Sequence, residues 1–205
     1  RREGLQRQMQ HHAGILAHGI QHHRVAEFRD RLADDLDRLR FERGEADAMI
    51  TGIVGRFHKK LGYLRSVFDF EPGVTGTAAM TGVINDHGAW FFVDTHVQLD
   101  PTAEQIAEAT LMASYRLKLF GIEPKVALLS HSNFGSHQDA SALKMRRAFE
   151  IIRARMPKLE IDGEMMADTA WDEALRQRIM PNTTLSGRAN LLVMPNLDAA
   201  NIGYN

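Results

Sequence analysis

Two kinds of apolar pattern alternate along the chain, short continuous runs and stripes with helical spacing. The continuous runs at 126–129 and 191–194 are typical of strands that are buried on both faces of a sheet. Each run is followed by a polar loop and then by a helical pattern. Further strands are predicted at 46–53, 75–84, 89–94 and 159–161, and the turn sequence NDHG at 85–88 predicts a hairpin between two of them.

The helical stripes separate these strands. A stripe formed by Val25, Phe28, Leu32, Leu36 and Leu39 predicts an amphipathic helix that stops near 44. Strands that alternate with helices predict an α/β protein whose sheet is mostly parallel, with one antiparallel hairpin. The other predicted helices cover 55–65, 102–120 (capped by Asp100 and ended by Gly121), 141–155 and 168–179 (capped by Asp168).

Composition narrows the class of protein. The 205 residues are 44% hydrophobic and carry a net charge of −1, which predicts a globular protein without a nucleic-acid or membrane partner. The chain has no cysteine, so disulfides and cysteine metal sites are excluded. No apolar run approaches the ~20 residues of a membrane span and no signal peptide is visible, so we expect a cytoplasmic protein. The start without methionine and the end early in a predicted helix indicate a fragment of a longer polypeptide.

Polar residues follow the strands at the edge where the carboxyl ends of a parallel sheet meet. These loops could be ordinary βα turns, or they could bind a ligand with their hydroxyls, amides and acids. The acids could also chelate Mg²⁺, but we predict no metal. The predicted ligand-binding residues are Ser130, Ser132, Asn133, Phe134, Gly135, Ser136, Asn196, Asp198 and Asn201, and the predicted cleft-lining residues are Arg56, Thr95, Asp162 and Glu164.

One of these assignments has a structural alternative, and one neighbouring glycine has a predicted structural role. Asp198 could equally be the N-cap of the last helix. Gly163, between Asp162 and Glu164, is predicted to lie against other backbone or ligand atoms. The usual nucleotide and hydrolase fingerprints are missing from the sequence, so the residues alone lead to an α/β ligand-binding domain with a cleft at the strand ends.

Five segments carry a family resemblance. The match runs from about 45 to 205 and resembles the phosphate acetyl/butyryltransferase family, above all the carboxyl-terminal phosphotransacetylase-like part of bacterial NADP-dependent malic enzymes. The segments are DAMITG (47–52), DTHVQLDPTAEQIAEATL (94–111), FGIEPKVALLSHSNFGS (120–136), IDGEMMAD (161–168) and LSGRANLLVMPNLDAANIGYN (185–205).

The resemblance implies a two-lobed α/β fold similar to isocitrate and isopropylmalate dehydrogenases, with a mostly parallel sheet flanked by helices and incomplete at both ends. Residues 1–72 would form part of the first lobe, with 1–44 a poorly matched helical segment. Residues 73–205 would form most of the second lobe.

The resemblance also implies a function. Active members exchange phosphate and CoA on an acyl group, mainly by positioning and electrostatics. Their Ser-Arg pair and aspartate lie downstream of NIGY, and Gly62 stands where they carry an arginine. We therefore expect a catalytically inactive regulatory domain that binds acetyl-CoA or CoA, needs no cofactor of its own and self-associates. It would act by linkage on malic enzyme domains in cis, which oxidatively decarboxylate malate to pyruvate with NADP and Mg²⁺ or Mn²⁺.

Two alternatives remain open. The chain could be an active phosphate acetyl/butyryltransferase, making acyl phosphate and CoA from acyl-CoA and phosphate, that is cut before its catalytic tail. It could also be an oligomerisation module whose ligand site is vestigial.

Overall fold

The computed structural model describes residues 25–27, 43–45, 48–50, 55–66 and 68–205. The chain divides into two compact units, Arg1–Asp69 and Phe70–Asn205. The predicted lobe boundary at 72/73 stays a prediction.

The described part of the first unit has a strand pair and a helix. Strand β1 (Val25–Glu27) pairs in parallel with β2 (Ala48–Ile50), and helix α1 (Phe57–Arg65) buries Leu61. The predicted strand near 46–53 and the helix at 55–65 are confirmed. The helix predicted to begin at Val25 is wrong at 25–27, because the backbone there is paired in a strand ladder. The remainder of that stripe lies outside the described residues.

The second unit is built on a mixed five-stranded sheet with the order β3-β4-β7-β5-β6. Strands β3 and β4 form the predicted antiparallel hairpin, and the other pairs are parallel. This confirms the predicted α/β class. The strands are β3 (Met80–Asn85), β4 (Gly88–Val93), β5 (Lys125–Leu129), β6 (Glu160–Met165) and β7 (Leu191–Val193); the helices are α2 (Ala103–Leu119), α3 (Ala140–Arg155), α4 (Ala167–Trp171), α5 (Glu173–Ile179) and α6 (Leu197–Tyr204).

Helices cover both faces of this sheet. Helices α2 and α3 contact each other and lie along β4, β7, β5 and β6. Helices α4 and α6 contact β5 and β4, and their Ala170 and Ala200 join a cluster with Phe92, Leu129 and Leu192. Because neighbouring strand residues point to opposite faces, the continuous apolar runs of β5 and β7 supply both layers at once.

The start of α2 differs from the predicted cap at Asp100. Thr102 is the N-cap: its side chain accepts a hydrogen bond from the Gln105 N–H, and the Gln105 side chain accepts one from the Thr102 N–H. This reciprocal capping box satisfies two N–H groups that the helix leaves unpaired. Asp100 instead forms an ion pair with Lys144 of α3, and Gly121 follows the helix with a φ of 73°, as predicted.

Two predictions downstream of α3 are also wrong in detail. Strand β6 continues to Met165 because its backbone pairs with β5, so Asp162 and Glu164 lie inside the strand rather than beyond its end. The predicted helix at 168–179 is two helices, α4 and α5. Asp172 caps the second by accepting the Leu175 N–H at 3.0 Å, while the N-cap of α4 is Met166 and not Asp168.

Candidate functional site

The loop that follows β5, residues 130–136, is folded around Glu164 of the neighbouring strand β6. The Glu164 Oε1 atom accepts hydrogen bonds from the Ser132 hydroxyl at 2.6 Å and from the Gly135 N–H at 2.8 Å. The Glu164 carbonyl oxygen accepts the Phe134 N–H at 2.8 Å. Ser132, Phe134 and Gly135 of the loop are thus all held by Glu164.

A second set of bonds ties the start and the middle of the loop to the end of β6. The Ser130 N–H donates to the Met165 carbonyl at 2.9 Å, and the Asn133 Oδ1 accepts the Met166 N–H at 2.8 Å. Phe134, with a φ of 45°, packs against the apolar cluster beneath α4 and α6. The loop is therefore shaped by the protein before any ligand arrives.

Burial divides the predicted ligand-binding residues of this loop into two groups. Ser132 is 0% exposed, and its Oγ also accepts the His137 N–H at 3.1 Å, so its role is internal. Ser136 is exposed, and its Oγ accepts the Asn133 N–H at 3.0 Å and lies 3.0 Å from the His137 Nδ1. Ser136, with the partly exposed Ser130 and Asn133, presents the polar surface of the loop.

A pair of ionisable side chains flanks the loop. The His131 Nε2 lies 2.8 Å from the Asp139 Oδ2, and the rings of His131 and His137 are 5.0 Å apart. Asp139 also caps α3 by accepting the Ser141 and Ala142 N–H groups. The hydrogen bond from the Ala142 N–H lowers the pKa of the Asp139 carboxyl, and burial opposes it. The contact with His131 adds to the lowering, so the pKa lies below its ordinary value.

The end of β7 carries the second group of predicted ligand residues. Asn196 is the N-cap of α6, since its Oδ1 accepts the Ala199 N–H at 2.9 Å. Asp198 is exposed in the first turn of α6, so the alternative assignment of Asp198 as the N-cap is wrong. Asn201 is exposed as well, and its Nδ2 donates to the Tyr204 hydroxyl at 3.4 Å.

The loop after β4 is held from inside by Asp94. Its carboxylate accepts four backbone N–H groups at 2.9 to 3.1 Å, from Ala79, His96, Val97 and Gln98. The predicted cleft residue Thr95 is buried, and its Oγ1 lies 2.8 Å from the Thr81 Oγ1 and 2.9 Å from the His96 Nδ1. The His96 Nε2 lies 3.2 Å from the Tyr204 hydroxyl, which links this loop to α6.

Asp162 and Glu164 serve different parts of the fold. The Asp162 Oδ2 accepts the Thr183 hydroxyl at 2.6 Å and the Thr184 N–H at 2.9 Å, so this carboxylate holds the segment that runs along β6. Glu164 holds the loop at 130–136. Within the part of the chain that the structure describes, no three His, Asp or Glu side chains form a group that could hold a metal ion.

The family model described as "Phosphate acetyl/butaryl transferase" matches residues 17–205. The chain belongs to this family. Over 164 residues, or 80% of its length, the chain is 51% identical to the NAD-dependent malic enzyme of Rhizobium meliloti. It is 51% identical over 164 residues to the NADP-dependent malic enzyme of Escherichia coli as well. The phosphate acetyltransferase of Synechocystis is 33% identical over 161 residues. A phosphotransacetylase-like domain thus occurs both in malic enzymes and in phosphate acetyltransferases.

The fold of this family member is also that of solved phosphotransacetylases. The EutD phosphotransacetylase from Staphylococcus aureus superposes with a TM-score of 0.76 at 28% identity, covering 84% of this chain and 53% of that one. The chain spans about a fifth of the length of the malic enzymes it matches, 21% and 22%.

Arg146, which contacts both Glu164 and the chain after the loop, was not predicted from the sequence. Arg146 of α3 donates from Nη2 to the His137 carbonyl, and its Nε lies 3.4 Å from the Glu164 Oε2. The only sequence signal was the position of Arg146 in the first half of the helix that follows the loop. His131 and His137 stood within and beside the motif but gave no hint of their contacts.

Arg56 belongs to the first unit, where it is exposed at the N-cap position of α1. Its role in a cleft stays a prediction.

An open groove of about 1140 Å³ lies on the face of the sheet that α4 and α6 cover. It is lined by aromatic side chains, including Trp90 and Trp171, whose rings are 6.1 Å apart, and by Tyr204. None of the predicted ligand-binding residues lines it.

Among the described residues, no helix has the length and apolar character needed to cross a bilayer.

Proposed function

We propose that this chain is an acyl-CoA-binding regulatory domain of an NADP-dependent malic enzyme and has no phosphotransacetylase activity of its own. The observation that carries the proposal is the difference in identity, 51% to malic enzymes against 33% to a phosphate acetyltransferase over nearly the same span. Malate oxidation with NADP and Mg²⁺ or Mn²⁺ belongs to other domains of that polypeptide, which acts in the cytoplasm as a homo-oligomer.

The geometry of the loop at 130–136 supports a binding role. Its shape is fixed by Glu164 and by the end of β6, so little conformational entropy is lost when a ligand binds. Its outward groups are a hydroxyl on Ser136, an amide on Asn133 and a partly exposed hydroxyl on Ser130. These donors and acceptors match the amide and phosphate groups of a CoA ester.

Regulation follows if acetyl-CoA binds one state of the malic enzyme more tightly than another. The ligand then shifts the population by the difference between its two affinities, without contact with the malate site. A coupling of about tenfold corresponds to about 1.4 kcal/mol.

The test is malate-dependent reduction of NADP by the complete polypeptide, with and without acetyl-CoA. We expect acetyl-CoA to change the rate several-fold, and we expect Asn133→Ala to raise the acetyl-CoA concentration needed. Asn182→Ala, at an exposed turn, is the matched control. An identical rate at all acetyl-CoA concentrations would overturn the regulatory proposal.

A second candidate is an active phosphate acyltransferase, which the likeness to the Staphylococcus aureus phosphotransacetylase favours. It predicts CoA-dependent consumption of acetyl phosphate. A turnover near the ~10 s⁻¹ typical of enzymes would select this candidate, and we expect none above background.

A further inference from the structure

An ion pair lies beneath the loop at 130–136. The Glu164 side chain is 0% exposed, and the Arg146 Nε lies 3.4 Å from its Oε2. Arg146 also donates from Nη2 to the His137 carbonyl and from Nη1 to the Gln138 Oε1 at 3.4 Å. The guanidinium thus contacts both the residue that shapes the loop and the chain that leaves it.

The two oxygens of Glu164 have different tasks. Oε1 accepts the Ser132 hydroxyl and the Gly135 N–H. Oε2 and the Arg146 Nε are buried, and neither has a hydrogen-bond partner among the described residues. Burying a charged group is costly unless an opposite charge lies nearby, and the Arg146 guanidinium is the charge that lies beside the Glu164 carboxylate.

We propose that Arg146 is a positioning residue for ligand binding. Arg146 holds the Glu164 carboxylate in place, and Glu164 holds Ser132, Phe134 and Gly135 so that Ser136 and Asn133 face outward. Arg146 itself does not contact the ligand. This inference rests on the proposed function, because it takes acetyl-CoA as the ligand of the loop.

Neutral replacements separate positioning from direct contact. Arg146→Gln leaves a buried carboxylate without its cation, and Glu164→Gln leaves a guanidinium without its anion. Each single variant of the complete polypeptide should bind acetyl-CoA about tenfold more weakly, as expected for coupled residues. The double variant places two neutral amides together and should return to within about threefold of the parent affinity.

Direct contact predicts a different pattern. If Arg146 binds the phosphates of acetyl-CoA, the double variant stays as weak as Arg146→Gln, and the dependence of affinity on salt becomes shallower. Either result would overturn the positioning role. The exposed pair Arg147–Glu150, 3.0 Å apart on the same helix, provides matched control variants whose affinity should stay within about twofold of the parent.

Amide hydrogen exchange provides a readout that needs no ligand. The N–H groups of Phe134 and Gly135 donate to Glu164, so they should exchange faster in each single variant and recover protection in the double variant. Should Glu164→Gln fail to fold, Arg146→Lys, which keeps the charge, should protect these amides better than Arg146→Gln.

The two measurements distinguish the two proposals. Unchanged exchange at Phe134 and Gly135 in Arg146→Gln overturns the positioning role even if the parent binds acetyl-CoA. The expected exchange pattern in a parent that does not bind acetyl-CoA supports the link from Arg146 to the loop and overturns the proposed function instead.

Discussion

Gly163 of β6 lies directly against Leu128 of β5. A Cβ built on Gly163 would stand 2.7 Å from the Leu128 carbonyl oxygen and 2.9 Å from the Leu128 Cβ. The φ of Gly163 is 137°, a conformation that other residues rarely adopt. The close approach predicted for this glycine from sequence is confirmed, and it places Glu164 beside the loop at 130–136.

Gly163→Ala should therefore destabilise the protein strongly. The added methyl group meets backbone atoms that cannot move aside, and the positive φ adds strain, so we expect a loss of about 3 kcal/mol or more in the free energy of unfolding. Urea denaturation measures this loss. Gly62→Ala is the matched control. Apart from its chain neighbours and the backbone of its own helix, no described atom lies within 4 Å of its Cβ position, and alanine favours a helix by about 1 kcal/mol. Equal stability of the Gly163→Ala variant and the parent would contradict the packing described here.

Thr102→Ala should cost about 1 kcal/mol of stability, because it removes the oxygen that accepts the Gln105 N–H at the start of α2. Asp100→Ala should cost less, since an ion pair with an exposed carboxylate contributes little. Thermal unfolding of the two variants compares them. A larger loss of stability for Asp100→Ala than for Thr102→Ala would contradict Thr102 as the cap and support Asp100, the cap predicted from sequence.

The stability of the second unit should fall at acid pH, in part through Glu160. Burial by itself would raise the pKa of the Glu160 carboxyl, but the Ser186 hydrogen bonds and the nearby Lys125 outweigh burial and hold the pKa below its ordinary value. A carboxyl with a lowered folded pKa stabilises the protein above its unfolded pKa of about 4.3, and this contribution is lost as the pH falls through the folded value.

Glu160→Gln tests this pH dependence. At pH 7 we expect the variant to be about 1 kcal/mol less stable than the parent, because a charged acceptor is lost. The difference should shrink as the pH is lowered below about 4, where the parent carboxyl is protonated too. Urea unfolding at several pH values measures it. A difference that stays constant down to pH 3 would exclude the Glu160 carboxylate as its cause.

The elements that sequence predicted well are those with a strong local pattern. The apolar run of β5, the hairpin turn at 85–88 and the stripe of α3 each lie within one segment, so neighbouring residues are enough to identify them. Gly121 was identified for the same reason.

The details that sequence missed depend on contacts between distant segments. Glu164 is a polar residue that was predicted to follow its strand. It is buried instead, because Ser132, Gly135 and Arg146 surround its side chain. Asp162 was predicted to line the cleft, but its carboxylate accepts hydrogen bonds from the Thr183 hydroxyl and the Thr184 N–H. Pairing in the sheet, which decides these positions, has no signal in the spacing of apolar residues.

Asn133 and Asp198 are two of the residues that we predict to contact the ligand. Asn133→Ala removes both the outward amide and the acceptor of the Met166 N–H, whereas Asn133→Asp keeps an acceptor there but replaces the amide donor with a negatively charged oxygen. Asp198 is exposed and caps no helix, so Asp198→Ala should leave stability within about 0.5 kcal/mol of the parent.

Calorimetric titration of the complete polypeptide with acetyl-CoA tests the central claim most directly. We expect saturable binding by the parent, about tenfold weaker binding by Asn133→Ala and by Asp198→Ala, and parent-like binding by Asn182→Ala. Asn133→Asp should bind at least as weakly as Asn133→Ala, because it loses the amide donor and adds a negative charge near the phosphates of the ligand. Absence of binding by the parent, or an affinity unchanged in both Asn133→Ala and Asp198→Ala, would contradict the account.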